Sequence, residues 1–442
     1  MIKKFRAAIY LIFSMALGSC GGGGSGTTVS CKVTGISGFS FAKPGPAYVG
    51  TQFLANSANL SFVTPPCTTT YSATGLPPGL AISSGGVVSG VPVAAGQSTA
   101  SITFTGNGTD GSTASAAVNV VFDVFNAVSW TTKVSNHGLG NLLDQQLVAI
   151  GSTLYVVGSK LTGSDYVPQL YQSTDGGATW VDLINPPPGL PSLRSFSVMA
   201  DATSLYLVGG KTSNALVTTQ ASFTFNNAVL RFVPGAPGAW STVAANPFAG
   251  GGMVSPAVLA NGGKLYVQGG TNSNATSQLL YVSTNLGTTW TNVGATGSPY
   301  LSGHCLTANA GALYLIGGTG GLPSPFSNSN NQGTYKSTND GLSWIIAGIR
   351  IPSLQEPALA NLAACTSVGG RIFATGGRDA TGTAFSNRVY QTYDGVTWGV
   401  DPISSVFGVR SAHGMTALNG KLIAFGGVNA LGSVASVIEG TP

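Results

Sequence analysis

The sequence predicts an all-β protein in which an N-terminal Ig-like β-sandwich precedes a C-terminal six-bladed β-propeller. Two features alternate along the second part of the chain: short apolar runs that end in glycine, and single tryptophans. Both recur about every 50 residues, and a two-part pattern of this period is typical of a radial array of small antiparallel sheets. The runs end at Gly158, Gly210, Gly270, Gly318, Gly377 and Gly427, and the tryptophans are Trp130, Trp180, Trp240, Trp290, Trp344 and Trp398.

Each repeat is predicted to form one blade of four strands, numbered from the propeller axis outwards. The second strand is the apolar run, such as Thr153–Gly158, whose terminal glycine permits a sharp turn because no Cβ intervenes. The fourth strand carries the tryptophan, which we expect to fill the wedge between neighbouring blades. The last repeat has no tryptophan, whereas Trp130 precedes the first repeat. Residues 127–133 are therefore predicted to form the outer strand of the last blade and to close the ring.

The repeat resembles the kelch repeat, which combines a double glycine, a later tyrosine and then a tryptophan. Arg410 and His413 add an Arg-x-x-His element, and His304 stands at the matching place of another repeat. The resemblance implies a propeller over residues 126–442. It does not imply one function, because kelch propellers include both enzymes and docking modules.

The connection between the third and fourth strands resembles a second motif, the Asp-box of sialidases and related propellers. Ser173–Trp180 reads Ser-x-Asp-x-Gly-x-Thr-Trp, while Ser283–Trp290 and Ser337–Trp344 carry asparagine in place of the aspartate. Thr392–Trp398 is one residue shorter. Side chains of Asp and Asn accept hydrogen bonds from backbone two residues on, and Gly supplies positive φ. We therefore predict that these boxes close turns and do not take part in chemistry.

The N-terminus is predicted to be a targeting segment. Three cations precede the apolar run Ala7–Leu17, which is too short to span a bilayer. Leu17–Cys20 resembles a bacterial lipobox, which implies a signal peptide over residues 1–20 and acylation of Cys20; an ordinary secretory signal is the alternative. The resemblance also implies that the protein is located at the outer membrane or cell surface. The inner-membrane retention signal of such proteins has aspartate after the cysteine, whereas this chain has Gly21. Residues 21–30 are predicted to be a flexible tether.

Residues 31–125 are predicted to form the Ig-like sandwich. Short strand-like stretches alternate there with Gly, Pro and Ser turns. The segments 75–82 and 86–92 resemble the Ig-like domain family of bacterial surface proteins, which implies a spacer module. Calcium is not expected, because Asp110 and Asp123 are the only carboxylates in this region and a calcium site needs several oxygen ligands.

Composition excludes some partners. Charged residues make up 7% of the chain, and removal of the signal leaves 15 basic and 13 acidic residues without a basic run. Nucleic acid is therefore not an expected partner. Export permits disulfides, and we predict the pairs Cys31–Cys67 and Cys305–Cys365. The sequence has no Cys-x-x-Cys or Cys/His cluster, so neither a metal nor a cofactor is predicted.

A candidate site is predicted on one face of the ring. Loops that follow the glycine-ended strands and loops that enter the innermost strands share this face, and several carry cations. We predict that they surround a central depression and attract an anionic group; the alternative is ordinary solvated charge. His304 and His413 are candidate ligand residues there, or else hydrogen-bonding residues of the inner strands. The predicted cations are Lys160, Arg194, Lys211, Arg378 and Arg410.

Catalysis is less well supported by the sequence. Arg350–Pro352 resembles the Arg-Ile-Pro motif of sialidases but lies after Trp344, whereas that family has it before the first Asp-box. The chain has two glutamates, Glu356 and Glu439, and no evident pair of carboxylates for hydrolysis. The predicted function is a membrane-anchored, non-catalytic binding or adhesion protein for a glycan or protein. The alternative is a glycan-active enzyme, either a sialidase-like hydrolase or a kelch-type sugar epimerase.

Overall fold

Regular structure in this protein is built from β-strands. The computed structural model describes residues 32–55, 58–62, 68–184, 190–212, 223–236, 239–272, 276–294, 296–320, 333–348, 363–378, 383–402 and 405–442. Over these ranges, no helix is long and apolar enough to cross a membrane. The strands divide into an N-terminal Ig-like module and a ring of six four-stranded sheets.

The Ig-like module is dominated by one long hairpin. Its two strands pair antiparallel over their whole length, and every second residue of the first strand's C-terminal half is buried. This alternation forms one wall of a core that contains Phe53, Val88, Ile102 and Phe122. The hairpin consists of β8 (Gly96–Asn107) and β9 (Thr113–Phe125); the other strands are β1 (Ile36–Phe41), β2 (Ala47–Tyr48), β3 (Phe53–Ala55), β4 (Ala58–Phe62), β5 (Thr68–Thr74), β6 (Leu80–Ile82) and β7 (Val88–Gly90).

Five blades of the propeller take their four strands in chain order from the axis outwards. Blade 1 contains β11 (Leu143–Ile150), β12 (Thr153–Thr162), β13 (Asp165–Ser173) and β14 (Val181–Ile184); blade 2 contains β15 (Leu193–Ala200), β16 (Leu205–Thr212), β17 (Val229–Phe232) and β18 (Ser241–Ala244). Blade 3 contains β19 (Ala257–Asn261), β20 (Lys264–Gln268), β21 (Leu280–Ser283) and β22 (Thr291–Asn292). Blade 4 contains β23 (Cys305–Asn309), β24 (Ala312–Ile316), β25 (Thr334–Ser337) and β26 (Ile345–Gly348); blade 5 contains β27 (Ala364–Val368), β28 (Arg371–Thr375), β29 (Val389–Thr392) and β30 (Gly399–Val400).

Blade 6 closes the ring in the predicted way. Its inner strands come from the C-terminus, and its outer strand is β10 (Ser129–Val134), which pairs antiparallel with β35 (Val437–Thr441). Trp130 lies opposite Gly440, where an added Cβ would be 2.9 Å from the indole ring. The first strand of the propeller thus covers an edge that would otherwise be unpaired. The other strands of this region are β31 (Gly414–Leu418), β32 (Lys421–Phe425), β33 (Val428–Asn429) and β34 (Gly432–Ser433).

The two ends of the ring differ in their connections. One end, here called the turn face, carries the tight turns between first and second strands and those between third and fourth strands. The other end, the loop face, carries the loops that follow the second strand and those that enter the inner strand. Blade 1 shows both: residues 151–152 and 174–180 lie on the turn face, and residues 163–164 and 135–142 lie on the loop face.

The turns between third and fourth strands are closed by side chains. In blade 1, the Asp175 carboxylate accepts hydrogen bonds from the backbone N–H of Thr179 at 2.9 Å and from its hydroxyl at 2.6 Å. The Ser173 hydroxyl accepts from the Gly177 N–H at 2.9 Å, and the Trp180 indole donates to the Gly177 carbonyl. These bonds hold the pKa of Asp175 down at about 2, with the Thr179 hydroxyl as the largest cause.

Candidate functional site

A cavity of about 290 Å³ lies on the propeller axis, where the inner strands converge. Its wall is formed mainly by small or uncharged residues of β11, β15, β19, β23, β27 and β31. The ionisable side chains among its lining residues are Asp144, His304 and His413. None of the five predicted cations lines it, so the predicted set of five around one central depression is not found.

Three residues at the loop-face mouth of the cavity have backbone in the left-handed region. Asp144, Ser195 and Ser255 occupy equivalent places at or just before their inner strands, with φ of 54°, 57° and 48°. The Ser255 N–H donates to the Ser195 carbonyl at 2.7 Å, and the Gly303 N–H donates to the Ser255 carbonyl at 3.0 Å. Between blades 1 and 2 the acceptor is different, because the Ser195 N–H donates to the Asp144 carboxylate at 2.9 Å. Asp144 thus brings a charge to this rim.

That carboxylate also fixes one of the predicted cations. The Arg194 Nε donates to Asp144 Oδ2 at 2.5 Å, and the guanidinium lies 4.7 Å from the centroid of the Tyr166 ring. Lys211 is the register partner of Arg194 on the adjacent strand, and its Nζ lies 3.7 Å from the centroid of the Phe223 ring. Burial, helped by the neighbouring Arg194, lowers the pKa of Lys211, while Asp144 opposes this shift. We refer to Asp144, Tyr166, Arg194, Lys211 and Phe223 as the cation platform.

Two other predicted cations lie apart from this platform. The Ser159 hydroxyl donates to the Leu193 carbonyl of blade 2 at 2.6 Å. Because side chains alternate along a strand, Lys160 faces the opposite side of the sheet, where its ammonium approaches Gly140. Arg378 belongs to blade 5, and its Nε has no hydrogen-bond partner within the described ranges.

Arg410 is not a surface cation, which corrects the prediction for this residue. It is 2% exposed, and its guanidinium donates to the carbonyls of Phe407 and Gly426 and to the Ser436 hydroxyl. Burial lowers its pKa to about 10. Its hydrogen-bonding capacity is used to hold loop backbone, so it does not offer a charge to a ligand.

The two candidate histidines are buried side chains that pack against the neighbouring blade, which corrects their assignment as ligand residues. His304 and His413 border the cavity but are 7% and 5% exposed. A Cβ added to Gly269 would lie 2.8 Å from His304 Cε1, and one added to Gly376 would lie 2.7 Å from His413 Cε1. Burial lowers the pKa of each imidazole to about 3, so both are neutral at physiological pH. The alternative role as an inner-strand hydrogen-bonding residue fits His413, whose Nε2 is 2.9 Å from the Thr375 hydroxyl.

The inner strands of blades 4 and 5 are joined covalently. Cys305 and Cys365 form a disulfide with 5.9 Å between their Cα atoms, and the bridge borders the cavity. The Thr307 and Ser367 hydroxyls are 3.0 Å apart just below it. The predicted partners Cys31 and Cys67, like the predicted lipid-bearing Cys20, lie outside the described residues.

Sequence reasoning missed three members of the platform, namely Asp144, Tyr166 and Phe223. An alignment of the repeats could have found Asp144, because it holds the place that Ser195 and Ser255 hold in the next blades. Within the described ranges no group of three or more His, Cys, Asp or Glu residues is arranged to hold a metal ion. The platform offers one guanidinium, one ammonium and one carboxylate, which act through charge and hydrogen bonding.

Comparisons with known proteins agree with this architecture. Residues 43–121 match the family described as "Putative Ig domain", and residues 88–231 match the family described as "DUF6242 beta propeller domain". The solved structure of YjhT is similar with a TM-score of 0.54 and 16% identity, over 70% of this chain and 96% of that chain. No curated protein matches the chain. The chain is thus an all-β protein that combines an Ig-like domain with a β-propeller, and the likeness to YjhT concerns the fold alone.

Proposed function

We propose that this protein is a lipid-anchored, non-catalytic binding protein of the bacterial cell surface that holds an anionic glycan on the loop face of its propeller. The observation that carries the proposal is the cation platform, where two cations sit on aromatic rings beside the axial mouth. Arg194 and Lys211 face one carboxylate, Asp144, so the cluster keeps one positive charge in excess.

The platform is arranged to hold its charges in place. Stacking on Tyr166 restricts the guanidinium, and Asp144 occupies its Nε, which leaves the Nη groups for an external acceptor. A planar guanidinium edge matches a carboxylate or sulfate through two parallel hydrogen bonds. Partial burial makes the charged form of Lys211 less favourable, and a bound anion would offset that cost. Tyr166 and Phe223 add apolar ring edges against which a sugar can pack.

The binding proposal is tested with soluble protein that begins at residue 27. A glycan array identifies ligands, and calorimetry of the best acidic glycan at low and high salt measures affinity. Replacing Arg194 and Lys211 together by Ala should weaken binding at least about tenfold, equal to about 1.4 kcal/mol. Lys336→Ala is the matched control, since Lys336 also lies over a ring, 5.5 Å from Tyr314, but on another blade. Equal binding of neutral sugars, or no effect of the double variant, would contradict the proposal and favour a protein partner.

A glycan-active enzyme is the alternative that the same array can reveal. A two-carboxylate hydrolase needs acidic groups about 5–10 Å apart. Asp144 is the carboxylate that borders the cavity within the described ranges, and it is paired with Arg194. Each array ligand is therefore also incubated with the protein and examined for hydrolysis or a change of anomer. Turnover that is lost in Asp144→Asn would replace the binding proposal by an enzymatic one.

The anchor is a separate part of the proposal, because it depends on Cys20 and the lipobox alone. Two or more acyl chains on one residue give stable membrane attachment, whereas one chain is marginal. Cys20→Ser should move the protein from the detergent phase to the aqueous phase, or leave the precursor unprocessed. Unchanged partitioning and unchanged mass would show that Cys20 carries no lipid.

A further inference from the structure

The Ig-like module is attached to one particular turn of the propeller. The Phe125 ring, at the end of β9, stacks on Tyr393 with 5.1 Å between centroids and 11° between planes. The Tyr393 hydroxyl donates to the Val124 carbonyl at 3.1 Å. Tyr393 belongs to the shortened turn of blade 5, so the turn that is one residue shorter than the Asp-box pattern is the turn that receives the module.

Charge reinforces this contact. The Lys43 ammonium lies 3.0 Å from Asp123 of its own module and 2.9 Å from Asp394 of the shortened turn. Asp123 is 2% exposed, so this carboxylate depends on its partners for stabilisation. The pKa of Lys43 is raised: burial lowers it, but the hydrogen bonds that its ammonium donates to Asp394 and Asp123 outweigh that effect. A hydrogen-bonded ammonium between two carboxylates fixes one module relative to the other.

The connecting segment is also held. The Gln391 amide donates to the Asn126 carbonyl at 2.8 Å, and the Val128 N–H donates to the Asp401 carboxylate at 2.9 Å. Packing is tight beside it, since a Cβ on Gly399 would lie 2.6 Å from the Tyr48 hydroxyl and 2.8 Å from the Phe125 ring. The segment between β9 and β10 is therefore bound to blade 5 and leaves little freedom for a swivel.

The chain enters the Ig-like module at its far end. The Val33 N–H donates to the Ser112 hydroxyl at 2.8 Å, beside the turn that joins β8 to β9. From that turn β9 runs 13 residues to Phe125 at the propeller. At about 3.3 Å per residue the strand spans about 40 Å. The entry point and the propeller contact are thus at opposite ends of the module.

These placements define an orientation. The Tyr393 turn lies on the turn face, whereas the cation platform lies on the loop face at the other end of the blades. We infer that the Ig-like module is a fixed stalk that holds the turn face toward the membrane and presents the loop face outward, to ligands outside the cell. The inference rests on the proposed anchor for its natural setting, and it identifies the outward surface as the one that meets an extracellular glycan.

Energy transfer to a membrane surface tests the orientation. A donor dye is attached through an encoded azide at Ser152 on the turn face or at Ser164 on the loop face, both exposed and both in blade 1. The strand between them has 10 residues and separates the labels by about 30 Å. The full lipidated chain is bound to vesicles with acceptor dye on their headgroups. Transfer from Ser152 should exceed transfer from Ser164 severalfold, because transfer falls steeply with distance.

Two further samples keep the outcomes separate. A chain that begins at residue 27 with an N-terminal histidine tag is bound to nickel-chelating vesicles, which tests orientation without natural lipidation. If only this sample binds vesicles and shows the difference, the orientation stands and the anchor proposal fails. Equal transfer from both labels, or more from Ser164, overturns the inference in either sample. The double variant Lys43→Ala and Tyr393→Ala should reduce the difference, while Lys264→Ala, which breaks an exposed pair with Asp340, should keep it.

Discussion

The turn face and the loop face of this propeller are held together in different ways. On the turn face, Asp175, Asn285 and Asn339 each accept a hydrogen bond from the backbone N–H four residues on, at 2.9–3.0 Å. Every such bond joins atoms of one turn. On the loop face, Asp144 meets Arg194 and His304 meets Gly269, and each pair joins two blades. The comparison teaches that the Asp-box turns are closed by bonds within one turn, whereas the loop-face contacts of Asp144 and His304 link neighbouring blades.

The same comparison explains where the protein departs from its repeat. The shortened turn of blade 5 keeps its local bonds, since Asp394 still accepts from the N–H groups of Val396 and Thr397. Tyr393 and Asp394 also contact the Ig-like module. In this turn, the departure from the repeat thus coincides with a contact to the Ig-like module.

The largest expected effect concerns the covalent link at the loop-face end of blades 4 and 5. Replacing Cys305 and Cys365 together by Ser frees a loop with a sequence separation of 60. The chain-entropy model gives a loss of about 4 kcal/mol for such a loop. Denaturant unfolding of the oxidised wild type and the double variant measures the difference. A loss below about 1 kcal/mol would mean that noncovalent contacts alone hold these blades together.

A smaller effect is expected when glycines of positive φ are replaced by alanine, and two such positions distinguish a clash between blades from backbone strain. Gly209 has a φ of 70°, and an added Cβ would overlap the Met253 carbonyl oxygen of blade 3. Gly262, in a turn-face hairpin, has a φ of 57° and nothing within 4 Å of the same position. We expect Gly209→Ala to cost about 3 kcal/mol or more, and Gly262→Ala only the 1–2 kcal/mol of left-handed alanine. Equal losses in thermal unfolding would show that the loop-face contact adds nothing.

Acid should weaken the loop face selectively. His304 and His413 have folded-state pKa values lowered to about 3, below the unfolded value of about 6.5. The free energy of unfolding is unaffected by these groups above their unfolded pKa and decreases as pH falls below it, because unfolding then takes up protons. Between pH 7.5 and 5 each histidine should lower the free energy of unfolding by about 2 kcal/mol. His304→Gln and His413→Gln should flatten the profile of unfolding free energy against pH.

One residue of blade 5 opposes this trend and serves as an internal control. Burial raises the pKa of Asp401 to about 6, although Val128 and Gln391 donate to it. A raised carboxyl pKa means that the folded state gains stability as pH falls through 6. Asp401→Asn should therefore make the acid loss steeper. A shallower profile in this variant would show that Asp401 is not the opposing group.

Much of the fold was predictable because the signal repeats. The six tryptophans indicated the number of blades, and the position of Trp130 before the first repeat predicted closure by β10, which the strand pairing confirms. The cysteines at matching places of two inner strands predicted the bridge that the structure contains. Each of these inferences needed only one-dimensional spacing, since neighbouring blades place equivalent residues side by side.

The candidate site was less predictable because its partners are remote in sequence. The sequence around Arg410 does not show that it will be buried, because two of its three acceptors are 16 and 26 residues away. Arg194 and Lys211 depend on two aromatic rings outside the repeated pattern, Tyr166 near the start of β13 and Phe223 in a loop. Counting cations on a face therefore overestimated the number of charges at the site, since packing decides which charges remain available to a ligand.

The smallest effect concerns the turn face itself. Asp175→Ala removes the acceptor for two hydrogen bonds from Thr179 in an exposed turn, which should cost roughly 0.5–1 kcal/mol. Asp175→Asn should be nearly neutral at pH 7, because Asn285 and Asn339 close the equivalent turns of blades 3 and 4 with the same backbone bond. The pKa of Asp175 is lowered to about 2, so the wild type keeps the contribution of this charge above about pH 4 and loses it as pH falls through 2. Thermal unfolding of both variants at pH 7 measures the comparison directly. If Asp175→Asn were as damaging as Asp175→Ala, the carboxylate would have a role beyond turn closure.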